Sequence, residues 1–262
     1  VTLPVFLGED MNPPPASLAV GQRASLGGAE GRHAASARRI GVGEWVEVVD
    51  GRGLRLTCEV SGGDKTSLSL VVRQVRQEDA PRPDIVLVQA LAKGGRDEAA
   101  VEICTEIGVD RVIPWASQRA IVQWKGAKAD KGRAKWQSVA RAAAKQSRRA
   151  FVPRVEDVKD SAELARWIRA LTDEAGVAFL CHEEASLSLG AALALAQDEG
   201  AVASLPARIA LIVGPEGGIG PAETAQLTSA GANAVGLGDN VLRSSTAGAV
   251  ALTLIRAAAG TY

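Results

Sequence analysis

Apolar and polar positions change rhythm twice along this chain, and the changes divide it. Residues 44–50 (EWVEVVD), 54–60 (LRLTCEV) and 67–75 (SLSLVVRQV) show partial alternation at the period of two that strands require. DGRG and SGGDK between them have the turn chemistry of hairpins. RQEDAPRPD at 76–84 is polar with two prolines and reads as a linker. Beyond it, DIVLVQAL (84–91) is continuously apolar, as in a strand buried on both faces. Ala100, Ile103, Cys104 and Ile107 then recur at helical spacing, with Gly108 as a stop. RVIPW (111–115) completes a βαβ unit. Further strands are expected at 176–182, 207–214 and 232–238, and helices at 133–149, 161–174, 221–230 and 244–258. The pattern predicts a small β domain over 1–76 and an α/β domain over 84–262.

Two strand-to-helix turns carry candidate chemistry. LIVGPEGGIG (211–220) runs from a strand into a loop whose glycines, Gly214, Gly217, Gly218 and Gly220, allow positive φ and close backbone approach to a ligand. Pro221 suits the first position of the following helix and Glu223 its first turn. Neither a phosphate-binding G-K-[ST] nor a third glycine at 223 is present, which excludes the common nucleotide fingerprints. LGDNVLRSSTAGA (237–249) repeats the arrangement, so two such turns are expected at the carboxyl edge of one sheet. Their glycines and apolar side chains suit a flat, mostly neutral ligand; a tight turn without a ligand is the alternative for the first loop taken alone.

Composition narrows the class. The 262 residues are 47% apolar and 23% charged, as in soluble globular proteins. No apolar run reaches the roughly 18 residues of a membrane span, and the start at Val1 shows no basic-then-apolar leader. Trimming or processing of a few residues is expected there. Cys58, Cys104 and Cys181 are isolated and odd in number, which points to small buried side chains in a reducing cytoplasm rather than disulfides or zinc. With only His33 and His182, no metal centre is expected.

Zero net charge conceals an asymmetry. From Arg111 to Arg154 there are twelve Lys or Arg and one acid, Asp130. The stretch is either a solvated helix face or a footprint for a polyanion. With Trp136, Val139, Ala140 and Ala143 turned inward, Arg141, Lys145, Arg148 and Arg149 would share another helix face and could meet phosphates. Arg23, Arg32, Arg38 and Arg39 could extend that footprint. Trp115, Trp124 and Trp136 are candidates for base stacking or for core packing.

GPEGGIGPAE followed by LGDNVLRSSTAGAVAL resembles the SPOUT superfamily of knotted methyltransferases, and most closely the family that methylates uridine N3 in small-subunit ribosomal RNA. The resemblance covers nearly the whole chain. It includes His33, Arg38, Arg39, Gly43 and Glu44 in the first domain, and Glu106 to Val109, Pro114 and Arg119 in the second. Ala143, Gln146, Ser147, Arg149 and Pro153 match a further motif. Ala120 stands where the family usually has Ser, and Ser245 where it usually has Glu.

The resemblance implies an N-terminal PUA-like β-barrel, a SPOUT α/β domain with a C-terminal trefoil knot, S-adenosylmethionine as methyl donor, and a homodimer. Its substrate would be small-subunit ribosomal RNA or the assembled 30S subunit, with neither metal nor membrane involved. The donor would lie among Leu180, His182, Gly214, Pro215, Glu216, Gly217, Gly218, Leu237, Gly238, Leu242, Arg243 and Thr246. Arg243 could stabilise a developing uridine anion, or else serve as a helix-start or dimer-contact residue. Glu216 could accept from the donor, orient Arg243, or be a structural loop acid. RNA contacts would come from Arg23, Arg38, Arg39, Arg119, Arg141, Lys145, Gln146, Arg148 and Arg149. A SPOUT enzyme acting on transfer-RNA ribose is disfavoured by the N-terminal domain and the Q-S-x-R stretch. A non-catalytic RNA-binding protein is disfavoured by the intact glycine loops.

Overall fold

The computed structural model describes residues 2–196 and 205–261, and the chain divides into two compact units. The first comprises the chain up to Ala80 together with Ala144–Val152; the second comprises Pro81–Ala143 and the chain from Pro153 onward.

The first unit contains β1 (Val5–Leu7), β2 (Met11–Asn12), β3 (Arg23–Leu26), α1 (Gly28–Arg32), β4 (Trp45–Val49), β5 (Leu54–Gly63) and β6 (Leu68–Gln77). They form one sheet in the order β1-β4-β5-β6-β3-β2, in which only the β1–β4 pair is parallel. β1 and β2 end that order, yet only Gly8–Asp10 joins them in the chain. In a flat sheet five strand spacings would separate them by about 24 Å, and so short a link spans roughly 14 Å at most. The sheet therefore curls. Its alternating positions Val46, Val48, Leu56, Cys58 and Leu70 pack with Phe6 and Leu26 into one core. Asp64 closes the β5–β6 hairpin, its Oδ1 accepting from the Thr66 and Ser67 N–H groups at 2.6 and 2.9 Å. β1 to β3 were not legible in the hydrophobic pattern, being short and interrupted by prolines.

The second unit runs β7 (Asp84–Ala90), α2 (Arg96–Ile107), β8 (Arg111–Ala116), α3 (Ala127–Gln146), β9 (Arg154–Val155), β10 (Lys159–Asp160), α4 (Ser161–Asp173), β11 (Val177–Cys181), α5 (Leu189–Ala196), β12 (Arg208–Val213), α6 (Pro221–Ser229), β13 (Ala232–Val235) and α7 (Ser244–Ala258). Every pairing in its sheet is parallel, in the order β10-β8-β7-β12-β11-β13 with β9 beside β8. Along β7, Ile85 and Leu87 enter one core with α2, α3, α5 and α7, while Val86 and Val88 enter another with α4 and α6. That double burial is why the strand is apolar throughout. α4 starts on a capping box: the Glu163 N–H donates to Asp160 Oδ1 at 2.8 Å and the Asp160 N–H to Glu163 Oε2 at 3.0 Å. Such a cap is worth about 1 kcal/mol.

α7 packs against α2, β12, β7 and α5. Gly248 makes that close approach feasible, since a Cβ there would meet Leu87 Cδ1 at 3.1 Å and Cys104 Sγ at 3.3 Å. Ala247, Gly248 and Ala251 are thus consumed inside the unit. α5 was not expected from the sequence.

The helix expected over 133–149 instead spans Ala127–Gln146. Its first turns are rich in Lys and lack apolar periodicity, but Trp124 covers the helix by packing edge-on against Trp136, with ring centroids 5.0 Å apart. The C-terminal end is set by a backbone reversal. Arg148 is left-handed (φ 59), the Arg149 N–H returns to the Ala144 carbonyl at 2.8 Å, and Arg55 donates to the Arg148 carbonyl at 2.9 Å. The chain then runs into the first unit, where Ala150 packs with Val5, Leu7 and Val49. Arg148 and Arg149 therefore do not share a helix face with Arg141 and Lys145, contrary to the spacing argument.

Candidate active site

Three connections meet at the carboxyl ends of adjacent strands: the one after β11, the 214–220 loop after β12 and the 236–243 segment after β13. The His182 N–H donates to the Val235 carbonyl at 3.0 Å, and Gly236 bonds both ways with the 187–189 segment, at 2.8 Å to the Leu187 carbonyl and 2.9 Å from the Leu189 N–H. Between them lies a cavity of about 1120 Å³.

Most of the sequence-predicted pocket residues line it. Gly214, Pro215, Glu216, Gly217 and Gly218 form one wall, and Leu237, Gly238, Leu242 and Arg243 another, with His182 beside them. Gly218 and Gly238 have left-handed backbone (φ 70 and 118). Gly214 is needed for a different reason: a Cβ there would stand 2.6 Å from Ile219 Cγ1, so Ile219 could not fold over the loop. Two of the expected residues lie elsewhere. Leu180 is fully buried in the core shared with α4 and α6, because its side chain points away from the strand end. Thr246 is exposed one turn into α7, with its N–H on the Arg243 carbonyl at 2.8 Å.

Glu216 does not orient Arg243. Its Oε1 accepts from Arg96 Nη1 at 2.9 Å and from the Lys93 N–H at 3.2 Å. Burial alone would raise its pKa, but hydrogen bonds from its own backbone N–H, Arg96 and Lys93 outweigh that and bring it below the usual value. Arg96 follows Gly94 and Gly95, both left-handed (φ 70 and 74), at the end of β7. The third glycine turn was visible in LAKGGR but was not singled out.

Arg243 is the N-cap of α7 and makes no side-chain cap hydrogen bond. It is exposed on the cavity wall. Next to it, the Ser244 hydroxyl accepts from the buried Gln89 amide at 2.9 Å. Arg119, expected among the RNA contacts, also lines the cavity and donates from Nη1 to the Gly217 carbonyl at 3.3 Å.

Sequence reasoning missed Arg96, Cys181, Thr224 and Ser244, all of which line the cavity. Burial pushes the Cys181 thiol up to about 12, so it stays protonated near neutral pH. The Thr224 hydroxyl oxygen is buried without a hydrogen-bond partner among the described residues. Left-handed glycines and a cavity this large suit a nucleoside-sized ligand. Among the described residues no group of three or more His, Cys, Asp or Glu could hold a metal ion, and no helix is long and apolar enough to cross a membrane.

The residues expected to contact RNA separate into different settings. Arg23, Arg38, Arg39, Gln146 and Arg148 are exposed, whereas Arg141 and Arg149 are half-buried. Lys145 is committed to an ion pair with Glu30 at 2.9 Å. Trp115 and Trp136 are buried, and Trp115 donates to the Ser161 hydroxyl at 3.1 Å, so neither stacks on bases.

Comparison with known proteins gives consistent matches. A family model described as an RNA methyltransferase domain covers residues 78–256, and one described as an RNA methyltransferase PUA domain covers residues 26–73. A Mycobacterium bovis protein named ribosomal RNA small subunit methyltransferase E is 42% identical over 234 residues, covering 88% of this chain and 85% of its own. The Bacillus subtilis protein of that name is 32% identical over 235 residues, covering 88% of each. A crystal structure of ribosomal RNA small subunit methyltransferase E from Neisseria gonorrhoeae bound to S-adenosyl methionine superposes with a TM-score of 0.80, at 26% identity and 98% coverage of both chains.

Proposed function

The chain belongs to the ribosomal RNA small subunit methyltransferase E family, and we propose that it transfers a methyl group from S-adenosylmethionine to N3 of one uridine in small-subunit ribosomal RNA. The observation that carries this reading is the convergence of two turns with left-handed glycines, Gly218 and Gly238, on one cavity beside Arg243.

When bound, S-adenosylmethionine supplies an electrophilic methyl group on its sulfonium. Backbone groups of 214–218 and 237–242 hold the donor. Uridine N3 carries a proton, so methylation requires its loss to solvent water and an electron-rich nitrogen in line with the methyl. The N–C bond would form as the C–S bond breaks, with S-adenosylhomocysteine as the leaving product. Orientation in such a cavity can contribute about 7–11 kcal/mol to the acceleration. Arg243 stabilises negative charge developing on the uracil oxygens through charge-assisted hydrogen bonds. Glu216 secures the glycine loop to the turn after β7 through Arg96. The protonated Cys181 takes no part in proton transfer.

The same reading closes the curled sheet of the first unit into a PUA-like barrel that contacts RNA through Arg23, Arg38, Arg39 and Arg148. It also makes the C-terminal crossing a trefoil knot. β13 is at the sheet edge, and α7 returns from it to pack on α2 near the centre, past the segment hydrogen-bonded at Leu187 and Leu189. Ala247, Gly248 and Ala251 of α7 face inward, so a homodimer would use its outer positions, Thr253, Leu254 and Ala257. The enzyme would act in the cytoplasm on free RNA or the assembled 30S subunit.

Transfer of label from tritiated S-adenosylmethionine into small subunits lacking the modification, with the modified base mapped, tests this. Label at uridine N3 is expected; label on a ribose or on another base would refute the assignment.

A further inference from the structure

We propose that Glu223, buried in the first turn of α6, is a positioning residue for Arg119, which it preorganises at the cavity wall to grip a phosphodiester of the RNA substrate. The proposal rests on RNA being the substrate, as inferred above.

Glu223 is fully buried, and no cation among the described residues is paired to it. Its carboxylate is satisfied instead by three donors from two other segments: the Ser117 hydroxyl at 3.0 Å, the Gln118 N–H at 3.0 Å and the Ser161 hydroxyl. Burying a carboxylate costs several kcal/mol unless such partners are supplied. A helix start has no need of one, because an exposed acid interacts with the helix dipole equally well.

What the carboxylate holds is a turn. The Ala120 N–H bonds to the Ser117 carbonyl at 3.0 Å, and both Ser117 and Ala120 are buried. Glu223 thus fixes the first residue of the turn and the backbone of the second, leaving Arg119 exposed at its tip. Arg119 lies along the glycine loop that leads into α6. Besides the bond to the Gly217 carbonyl, a Cβ at Gly220 would be 3.5 Å from its Nε, and one at Gly217 3.4 Å from its carbonyl oxygen. One long-range contact to Gly217 leaves most of the five guanidinium donors for an anionic oxygen. A guanidinium on a pinned turn loses less freedom on binding such an oxygen than one on a mobile loop.

Two anionic oxygens could reach this wall, the phosphodiester of RNA and the carboxylate of the methyl donor. Arg119→Ala, Glu223→Gln and the double variant separate them when S-adenosylhomocysteine affinity is measured by calorimetry and RNA affinity by anisotropy. Each single variant is expected to weaken RNA binding roughly tenfold, the effect of one charge-assisted contact. The double variant should be no weaker than Arg119→Ala alone, and S-adenosylhomocysteine affinity should change by less than about twofold. Multiplying defects would overturn the claim that Glu223 acts through Arg119. Weakened S-adenosylhomocysteine binding with unchanged RNA affinity would overturn the phosphodiester. Ser117→Ala removes one of the three donors and keeps Glu223, so it reports the same split with a smaller effect if Glu223→Gln does not fold. Both affinities are read without catalysis, so a wild-type protein that binds RNA but leaves N3 unmethylated would refute the proposed reaction and leave this cycle interpretable.

Discussion

Arg96 and Glu216, 120 residues apart, hold two glycine turns together: the guanidinium at the start of α2 donates to the carboxylate of the 214–220 loop at 2.9 Å. The pair joins the ends of β7 and β12, which are neighbours in the sheet. The Arg96 side chain is 40% exposed, so the pair contributes about 0.5–1 kcal/mol at most. Glu216→Gln should therefore weaken donor binding by roughly two- to fivefold, measured by calorimetry.

The same contact sets a pH dependence. Because the Glu216 pKa is depressed in the folded protein, its stabilisation is fully present above the usual glutamate value of 4.5 and is lost as pH falls through the lowered one. The difference in Tm between wild type and Glu216→Gln should stay constant near neutral pH and shrink towards zero in acid. A difference that grows on acidification would contradict this assignment.

Glycines of the cavity should differ sharply in their tolerance. At Gly218 and Gly238 the left-handed backbone makes alanine cost about 1–2 kcal/mol. At Gly217 φ is not positive, and a Cβ would meet the Arg119 carbonyl oxygen at 3.4 Å, close to ordinary contact. Gly218→Ala and Gly238→Ala should lower donor affinity about tenfold, and Gly217→Ala by less than about threefold. Equal affinities across the three would remove backbone conformation as the reason for these glycines.

Much of the second unit was legible because its central strands are apolar on both faces and α4 has one clear apolar stripe. The glycine turns at 214–220 and 237–243 were legible too, since positive φ leaves a mark in the sequence. Three polar contacts, among other features, were not. The end of α3 depends on Arg55 donating to the Arg148 carbonyl, 93 residues away. The partner of Glu216 was Arg96 rather than Arg243, which no local spacing distinguishes. Glu223 suited a helix start by composition, while its burial depends on Ser117 and Ser161, distant in sequence. In each case a polar group's role was decided by tertiary partners, to which periodicity is blind.

Lys145 should behave as a structural residue. Its side chain and that of Glu30 are 28% and 16% exposed, and Glu30 Oε2 is buried without a partner among the described residues. Lys145→Ala would leave that carboxylate unpaired and destabilise the fold by about 1–3 kcal/mol, seen as a lowered Tm. Unchanged stability with weakened RNA binding would return Lys145 to the phosphate contacts.

The remaining prediction separates RNA affinity from chemistry. Arg38 and Arg148 are exposed, and neither lines the cavity. If they meet phosphates, Arg38→Ala with Arg148→Ala should weaken RNA binding and flatten its log–log salt dependence by about 0.7–0.9 per lost contact, with donor affinity unchanged. Arg243 stands on the cavity wall as the N-cap of α7, its side chain making no cap hydrogen bond. Arg243→Ala should retain most RNA and donor affinity. Its single-turnover methyl transfer should slow by roughly a hundredfold or more, the usual consequence of removing a donor aimed at developing charge. The helix itself should survive, because the Arg243 carbonyl still accepts from the Thr246 and Ala247 N–H groups in the variant. An unaltered transfer rate in Arg243→Ala would leave orientation of donor and base as the source of catalysis.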